Sequence, residues 1–201
     1  YQSQGRLTEA EPLYDRALAM YQRLFKGDHP HVAQSLNNLA LLYQSQGRLS
    51  EAEPLLDRAL AMRERLFKHD HPDLAVSLNN LAVVYYFQGY YTKAEPLYDR
   101  ALAMYQRLFK GDHPHVATSL NNLALLYQSQ GRLTEAEPLY DRALAMYQRL
   151  FKGDHPHVAT SLNNLALLYQ SQGRLTEAEP LYDRALAMRE RLFKHDHPDL
   201  A

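Results

Sequence analysis

Residues 71–110 read HPDLAVSLNNLAVVYYFQGYYTKAEPLYDRALAMYQRLFK, and the spacing of their apolar residues decides the fold. Leu74, Leu78, Leu81, Ala82 and Tyr85 recur every three or four residues, the rhythm of an amphipathic helix, which we call helix A. Asp70 and His71 are its candidate caps, and Pro72 sits just inside. Gly89 follows its end, where a left-handed backbone costs glycine little. Ala94, Leu97, Tyr98, Ala101, Leu102, Met104, Leu108 and Phe109 carry the rhythm into a second helix, helix B. Thr92 and Glu95 stand in capping-box spacing, repeated as Thr8/Glu11, Ser50/Glu53, Thr134/Glu137 and Thr176/Glu179. With Thr92 as N-cap, Pro96 falls in the first turn and removes at most the first intrahelical hydrogen bond. At about 1.5 Å per residue each helix spans about 25 Å.

This hairpin recurs. Gly5, Gly47, Gly89, Gly131 and Gly173 are 42 residues apart, as are Pro12, Pro54, Pro96, Pro138 and Pro180, and Pro30, Pro72, Pro114, Pro156 and Pro198. Block 127–168 differs from block 1–42 only at Thr160, where the earlier copy has Gln34, so the copies are recent or deliberate duplicates. One helix pair cannot bury both of its apolar faces, so each must stack on the next. The expected fold is therefore all-α, a solenoid of stacked antiparallel helix pairs forming one repeat array over 1–201, with partial units at both ends. Ala40, Ala82, Ala124 and Ala166 in helix A, with Ala52, Ala59 and their copies in helix B, are the expected close approaches. The chain opens inside the repeated pattern without an initiator Met, and we read it as a segment of a longer protein.

Composition narrows the function. The 201 residues are 46% hydrophobic, the range of a folded protein. Lys plus Arg (22) balance Asp plus Glu (23) and are interspersed, leaving no basic stripe for nucleic acid. Apolar runs such as LALLY fall far short of the roughly 20 residues that cross a membrane, and no signal peptide opens the chain. Cysteine is absent, which suits a reducing compartment, and a cytoplasmic location is expected. His29 with His31, or His69 with Asp70, offer metal-ligating atoms, but they recur once per unit at helix starts instead of converging, so capping and turn roles explain them and neither metal nor cofactor is expected. Ser35 or Ser77 with a His and an Asp would form the same triad in several copies, and no glycine-rich phosphate loop appears; no enzyme is expected.

The string L-x-x-L-A-x-x-Y at Leu36, Leu39, Ala40 and Tyr43, followed by Gly47, Ala52, Leu56 and Ala59, resembles the tetratricopeptide repeat, a helix-turn-helix unit of about 34 residues. The resemblance covers the whole chain. It departs in length and at the end of helix B, where the family's usual proline position holds Glu64 or Gln106 and the helix runs on through RLFK. LNNLALLY, AEPLYDRAL and DHPDLA are similar to the long repeats of kinesin light chains and related bacterial arrays. The resemblance implies a right-handed superhelix whose concave wall, built mainly from helix A, binds extended peptide segments of partner proteins.

On that wall the strip pointing away from helix B should carry Gln34, Asn37, Asn38, Leu41 and Gln44, with copies Val76, Asn79, Asn80, Val83 and Tyr86; Thr118, Asn121, Asn122, Leu125 and Gln128; and Thr160, Asn163, Asn164, Leu167 and Gln170. Asparagine amides both donate and accept, so these rows suit a peptide backbone; alternatively one Asn of each pair bonds the neighbouring repeat. Asn38, Asn80, Asn122 and Asn164 match the asparagine of the family's carboxylate clamp, but the cationic positions are neutral here, so neither a terminal carboxylate nor a strongly acidic peptide is expected. The third copy departs at YYFQGYYTK, residues 85–93. Tyr85 and Tyr91 occupy packing positions, Tyr90 replaces Arg48 and Lys93 replaces Glu51. Tyr86 and Phe87 replace Gln44 and Ser45, as candidate partner anchors or as packing against a neighbour.

Gly27, Gly111 and Gly153 become His69 and His195 at an expected left-handed position, together with Tyr-to-Arg changes at 63 and 189 and Gln-to-Glu changes at 64 and 190, which suggests two unit types. Two further readings stand beside peptide binding. One is a structural element associating head-to-tail through uncapped ends, with nine residues (5 × 42 − 201) absent between residues 198–201 and 1–4. The other is an engineered or duplicated array with no specific partner.

Overall fold

The computed structural model describes residues 7–196, and side chains over 9–193. Gly5, the Thr8 side chain, His195 beyond its backbone, Pro198 and the segments 1–4 and 198–201 lie outside the described residues. Everything described is helix or short turn: α1 (Leu7–Leu24), α2 (Pro30–Ser45), α3 (Leu49–Leu66), α4 (Pro72–Phe87), α5 (Tyr91–Leu108), α6 (Pro114–Ser129), α7 (Leu133–Leu150), α8 (Pro156–Ser171) and α9 (Leu175–Asp196). Two compact units divide the chain, 1–108 with α1–α5 and 109–201 with α6–α9. In the first, the hairpins α2–α3 and α4–α5 stack, with α1 against α2; in the second, α6–α7 stacks on α8–α9. Each unit is thus a short all-α solenoid.

Helix A begins as the sequence predicts, and histidine is the cap. His29, His71, His113 and His155 hold extended backbones, and each Nδ1 accepts a hydrogen bond from the N–H two residues on, with proline at the first helical position. Each of these rings also lies flat on the phenylalanine that ends the previous helix B, at 3.4–3.7 Å and within 6° of parallel. Asp28, Asp70, Asp112 and Asp154, one residue earlier, instead pair with Arg65, Arg107, Arg149 and Arg191.

Helix B begins one residue before the expected capping box. Arg48 and Arg132 are the N-caps and make no side-chain cap bond, so Ser50 and Thr134 lie inside the helix and the box does not form. Gly47, at φ 75°, turns the chain so that the Arg48 carbonyl already accepts from Glu51 and Ala52. Arg48 then clasps the Glu51 carboxylate with two hydrogen bonds, at 2.8 and 2.7 Å. The earlier start moves Pro54 to the sixth helical position, out of the first turn, where its missing N–H leaves the Ser50 carbonyl without its intrahelical partner. A second correction concerns His69. Gly27, Gly111 and Gly153 have φ of 94–108°, but no described non-glycine residue has positive φ, so the His69 copy turns by a different backbone route.

The alanines predicted to sit at helix crossings, Ala40, Ala52, Ala59, Ala82, Ala124 and Ala166, are fully buried. Around them Leu36, Leu42, Leu78, Leu120, Leu126, Leu162 and Leu168 are sealed from solvent, each contributing about 1.5–3 kcal/mol of burial.

Candidate functional site on the helix A faces

The two asparagines of each pair have different surroundings. Asn37 is 2% exposed, and its Oδ1 accepts a hydrogen bond from Asn80 Nδ2 at 2.9 Å, tying α2 to α4. Asn121 Nδ2 donates to Ser161 Oγ at 3.0 Å, tying α6 to α8, while its Oδ1 is buried without a partner. Asn38, Asn79, Asn80, Asn122, Asn163 and Asn164 are half-buried, and Asn38 Oδ1 accepts from Gln34 Nε2 at 2.7 Å. Stacking therefore engages Asn37, Asn80 and Asn121 directly, and Asn38, Asn79, Asn122, Asn163 and Asn164 are half-buried beside them.

In the aromatic stretch, Tyr90 and Lys93 exchange roles. Elsewhere an arginine sits over the helix A tyrosine: Arg48 over Tyr43, Arg132 over Tyr127 and Arg174 over Tyr169, at 3.8–4.0 Å. Here Tyr90 takes the arginine's position and Lys93 Nζ lies 5.1 Å from the Tyr85 ring and 4.9 Å from Tyr90, so a cation–π contact survives from the next turn. Glu53, whose counterparts Glu11 and Glu137 pair with Arg48 and Arg174, has Tyr90 in place of that arginine and keeps the glutamine contact that Glu137 also makes, accepting from Gln88 Nε2 at 2.9 Å. Tyr86 packs edge-on to Phe87 and near Tyr91. Beneath it the Tyr98 hydroxyl is held above the usual phenol range by burial.

Phe87 is 61% exposed and, with Leu41, Gln44, Ser45, Gly47 and Leu49, lines an open cavity of about 380 Å³ between the ends of α2 and α4. Gln128 and Gln170, the counterparts of Gln44, accept hydrogen bonds from Tyr140 and Tyr182, at 3.0 and 2.7 Å. At that helix B position the second copy has Leu56, fully buried and without a hydroxyl, so the Gln44 amide has no such donor and lines the cavity. Three apolar walls and one uncommitted amide suit an apolar or aromatic side chain entering beside a polar group.

A family model described as tetratricopeptide repeat matches residues 1–65, 32–107, 73–149, 115–191 and 157–201. The chain belongs to the tetratricopeptide-repeat family. Among solved structures it is similar to BtubC (BKLC) from P. vanneervenii, at 30% identity and TM-score 0.83, over 98% of this chain and 78% of that one. It is also similar to a Podosopora anserina putative kinesin light chain with nearly identical TPR-like repeats, at 28% identity and TM-score 0.78, over 96% and 91% of the two chains. A variant of that protein matches at 27% identity and TM-score 0.81, over 96% and 92%. No curated protein matches the chain. Tetratricopeptide repeats are generally protein-interaction scaffolds, and no described helix is long and apolar enough to cross a membrane.

Within these tetratricopeptide repeats the junctions between helix B and the next helix A come in two chemistries. Tyr21 stacks near His31, and Tyr147 near His157, ten residues on. Tyr147 also shares a 2.7 Å hydrogen bond with Thr118. Where tyrosine becomes Arg63, the residue ten positions later becomes Asp73. Arg63 is 1% exposed and donates to the Asp73 carbonyl (2.9 Å), Ser77 Oγ (2.6 Å) and Gln34 Oε1 (2.8 Å). Burial lowers its affinity for a proton, and the Asp73 charge partly restores it. Sequence reasoning noted the change at 63 only as the mark of a second unit type and Leu56 only as a family packing position, and missed the role of each. Signals existed: the coupled change at 63 and 73, and the one leucine among Tyr14, Leu56, Tyr98, Tyr140 and Tyr182.

Proposed function

We propose that this chain is a protein-interaction scaffold that binds an extended peptide segment of a partner protein along its helix A faces, taken as the concave wall, and performs no catalysis. The observation carrying this reading is the open apolar cavity lined by the exposed Phe87, Leu41 and Leu49 beside Gln44, whose tyrosine donor in other copies is replaced here by Leu56. Phe87, supported by Tyr86, provides the anchor wall, and Gln44 meets the backbone or a polar group beside the inserted side chain. Asn38 and Asn79 continue the peptide's path in the first unit, and Asn122, Asn163 and Asn164 offer the same chemistry in the second; Asn37, Asn80 and Asn121 act first through the stacking they hold. A partner of this kind is a protein, not nucleic acid, because the charges are balanced and interspersed. To test it, a random-peptide display library is panned against the chain. Enriched peptides should lose about tenfold or more in affinity, about 1.4 kcal/mol, against a Leu56→Tyr, Phe87→Ser variant, which restores the residues of the other copies. No enrichment, or undiminished binding to the variant, refutes the anchor.

A further inference from the structure

The α4–α5 turn keeps the acceptors of a recurring arginine site but has no arginine. At the α8–α9 turn, Arg174 Nη1 donates to both oxygens of Glu137, at 2.8 and 2.9 Å, and to Gln172 Oε1 at 2.7 Å, with the guanidinium over the Tyr169 ring. At the α2–α3 turn Arg48 Nη1 bonds Glu11 and Gln46 in the same way, over Tyr43. The glutamate, glutamine and tyrosine persist in the third copy as Glu53, Gln88 and Tyr85. Gln88 Nε2 still donates to Glu53, as Gln172 Nε2 does to Glu137, which holds Oε1 in the orientation that meets Nη1 elsewhere. Tyr90 brings no nitrogen there, and Gln88 Oε1 is buried with no hydrogen-bond partner among the described residues. Lys93 replaces the arginine's field but not its hydrogen bonds. Burial, then Glu53, raise the Asp57 carboxyl and Lys93 opposes them, as Arg174 opposes the same causes at Asp141, yet the Lys93 ammonium lies over the Tyr85 and Tyr90 rings.

We propose that Glu53, Gln88 and the face of Tyr85 form a receptor for the guanidinium of an arginine on a partner protein. A buried acceptor without a donor is unfavourable, and an incoming guanidinium satisfies it while pairing with the carboxylate and stacking on the ring. A planar fork of N–H groups makes these three contacts together, whereas a compact ammonium does not. Tyr90 leaves the way open: it is 50% exposed, and its ring stands tilted at 56° and 6.4 Å from Tyr85, outside the 3.8–4.0 Å stacking position that the arginines take in the other copies. The site lies in the turn, away from the asparagine row, and does not rest on the peptide reading of the helix A faces.

The experiment titrates the intact chain with N-acetyl-arginine amide, N-acetyl-lysine amide and free arginine at constant ionic strength, with the Gln88 side-chain amide protons followed by NMR. The arginine amide should shift them saturably and bind at least about threefold more tightly than the lysine amide. Free arginine, which brings its own carboxylate toward Glu53 and Asp57, should bind no more tightly than the arginine amide. Tyr90→Arg with Lys93→Glu restores the residues of the other copies, supplies the guanidinium from within the chain and should abolish the saturable shift. Glu53→Gln, which removes the charge and keeps an acceptor, should weaken binding of the arginine amide at least about threefold. No saturable shift, equal binding of the arginine and lysine amides, tighter binding of free arginine, or undiminished binding in either folded variant overturns the proposal. None of these results depends on Phe87 or the asparagines, so failure of the cavity anchor remains separately visible in the peptide selection.

Discussion

Acidification should loosen this chain through its histidine caps. His113 and His155 accept backbone N–H groups at Nδ1, which requires the unprotonated nitrogen. Burial, and then the neighbouring His115 or His157, hold both imidazoles below their ordinary value. Each ring also faces Phe109 or Phe151 and the positive end of its helix, while Asp112 and Asp154, one residue before each cap, are bound to Arg149 and Arg191. The sign follows: because the folded form holds these protons less tightly, the unfolded chain binds more of them as pH falls below about 6.5, the ordinary imidazole value. The caps' contribution is therefore complete above that value and is lost as pH drops through the folded one. One proton is worth up to about 1.4 kcal/mol per pH unit, and complete loss of a cap about 0.5–2 kcal/mol. Urea unfolding at pH 7 and 5.5 measures this. The parent should lose stability over that interval, whereas a His113→Asn, His155→Asn variant, which keeps an accepting cap that does not titrate, should show a clearly flatter profile. Equal pH dependence in the two proteins refutes the argument.

Other perturbations test the packing. Ala82→Leu, at a fully buried crossing, should overpack it by roughly 1–3 kcal/mol, and an unchanged melting midpoint would contradict the assignment. Gly131→Ala meets no atom within 4 Å of its new Cβ but must hold φ near 75°, so a loss of about 1–2 kcal/mol in chemical unfolding would report backbone strain without a clash. Arg63→Ala should cost about 1–3 kcal/mol, since it leaves the buried Ser77 hydroxyl and the Asp73 carbonyl without their donor, and an unchanged unfolding midpoint would show that water replaces it.

Much of the architecture was legible because its signals are local. Pro72 and Gly89 bracket helix α4 whatever packs against it, and the 42-residue period requires stacking. The start of helix B was misread for a local reason too: Thr and Glu fit a capping box by spacing, but the turn at Gly47 lets Arg48 begin the helix and take the glutamate three residues on. Neighbours such as Asn37 and Asn38 are set apart only by about 100° of rotation, so which one is sealed depends on where the next hairpin lands. Arg63 is hidden more deeply, since a charge on a helix reads as solvated until another helix covers it. The Phe87 cavity combines an added ring on α4 with a Gln44 amide that lacks its tyrosine donor on α3, two changes that fall in successive copies and only meet in three dimensions.

The two kinds of junction bear on how a chain of near-duplicates avoids misassembly. Copies this alike invite a helix pair to dock on the wrong neighbour during folding, or on another molecule. Docking a helix that opens with histidine over Arg63 would set an imidazole where Asp73 now offsets the guanidinium, and docking the Asp73 helix over Tyr147 would bury a carboxylate against a ring. Sparse mismatched residues thus act as punctuation, penalising slipped pairings in a text that otherwise repeats.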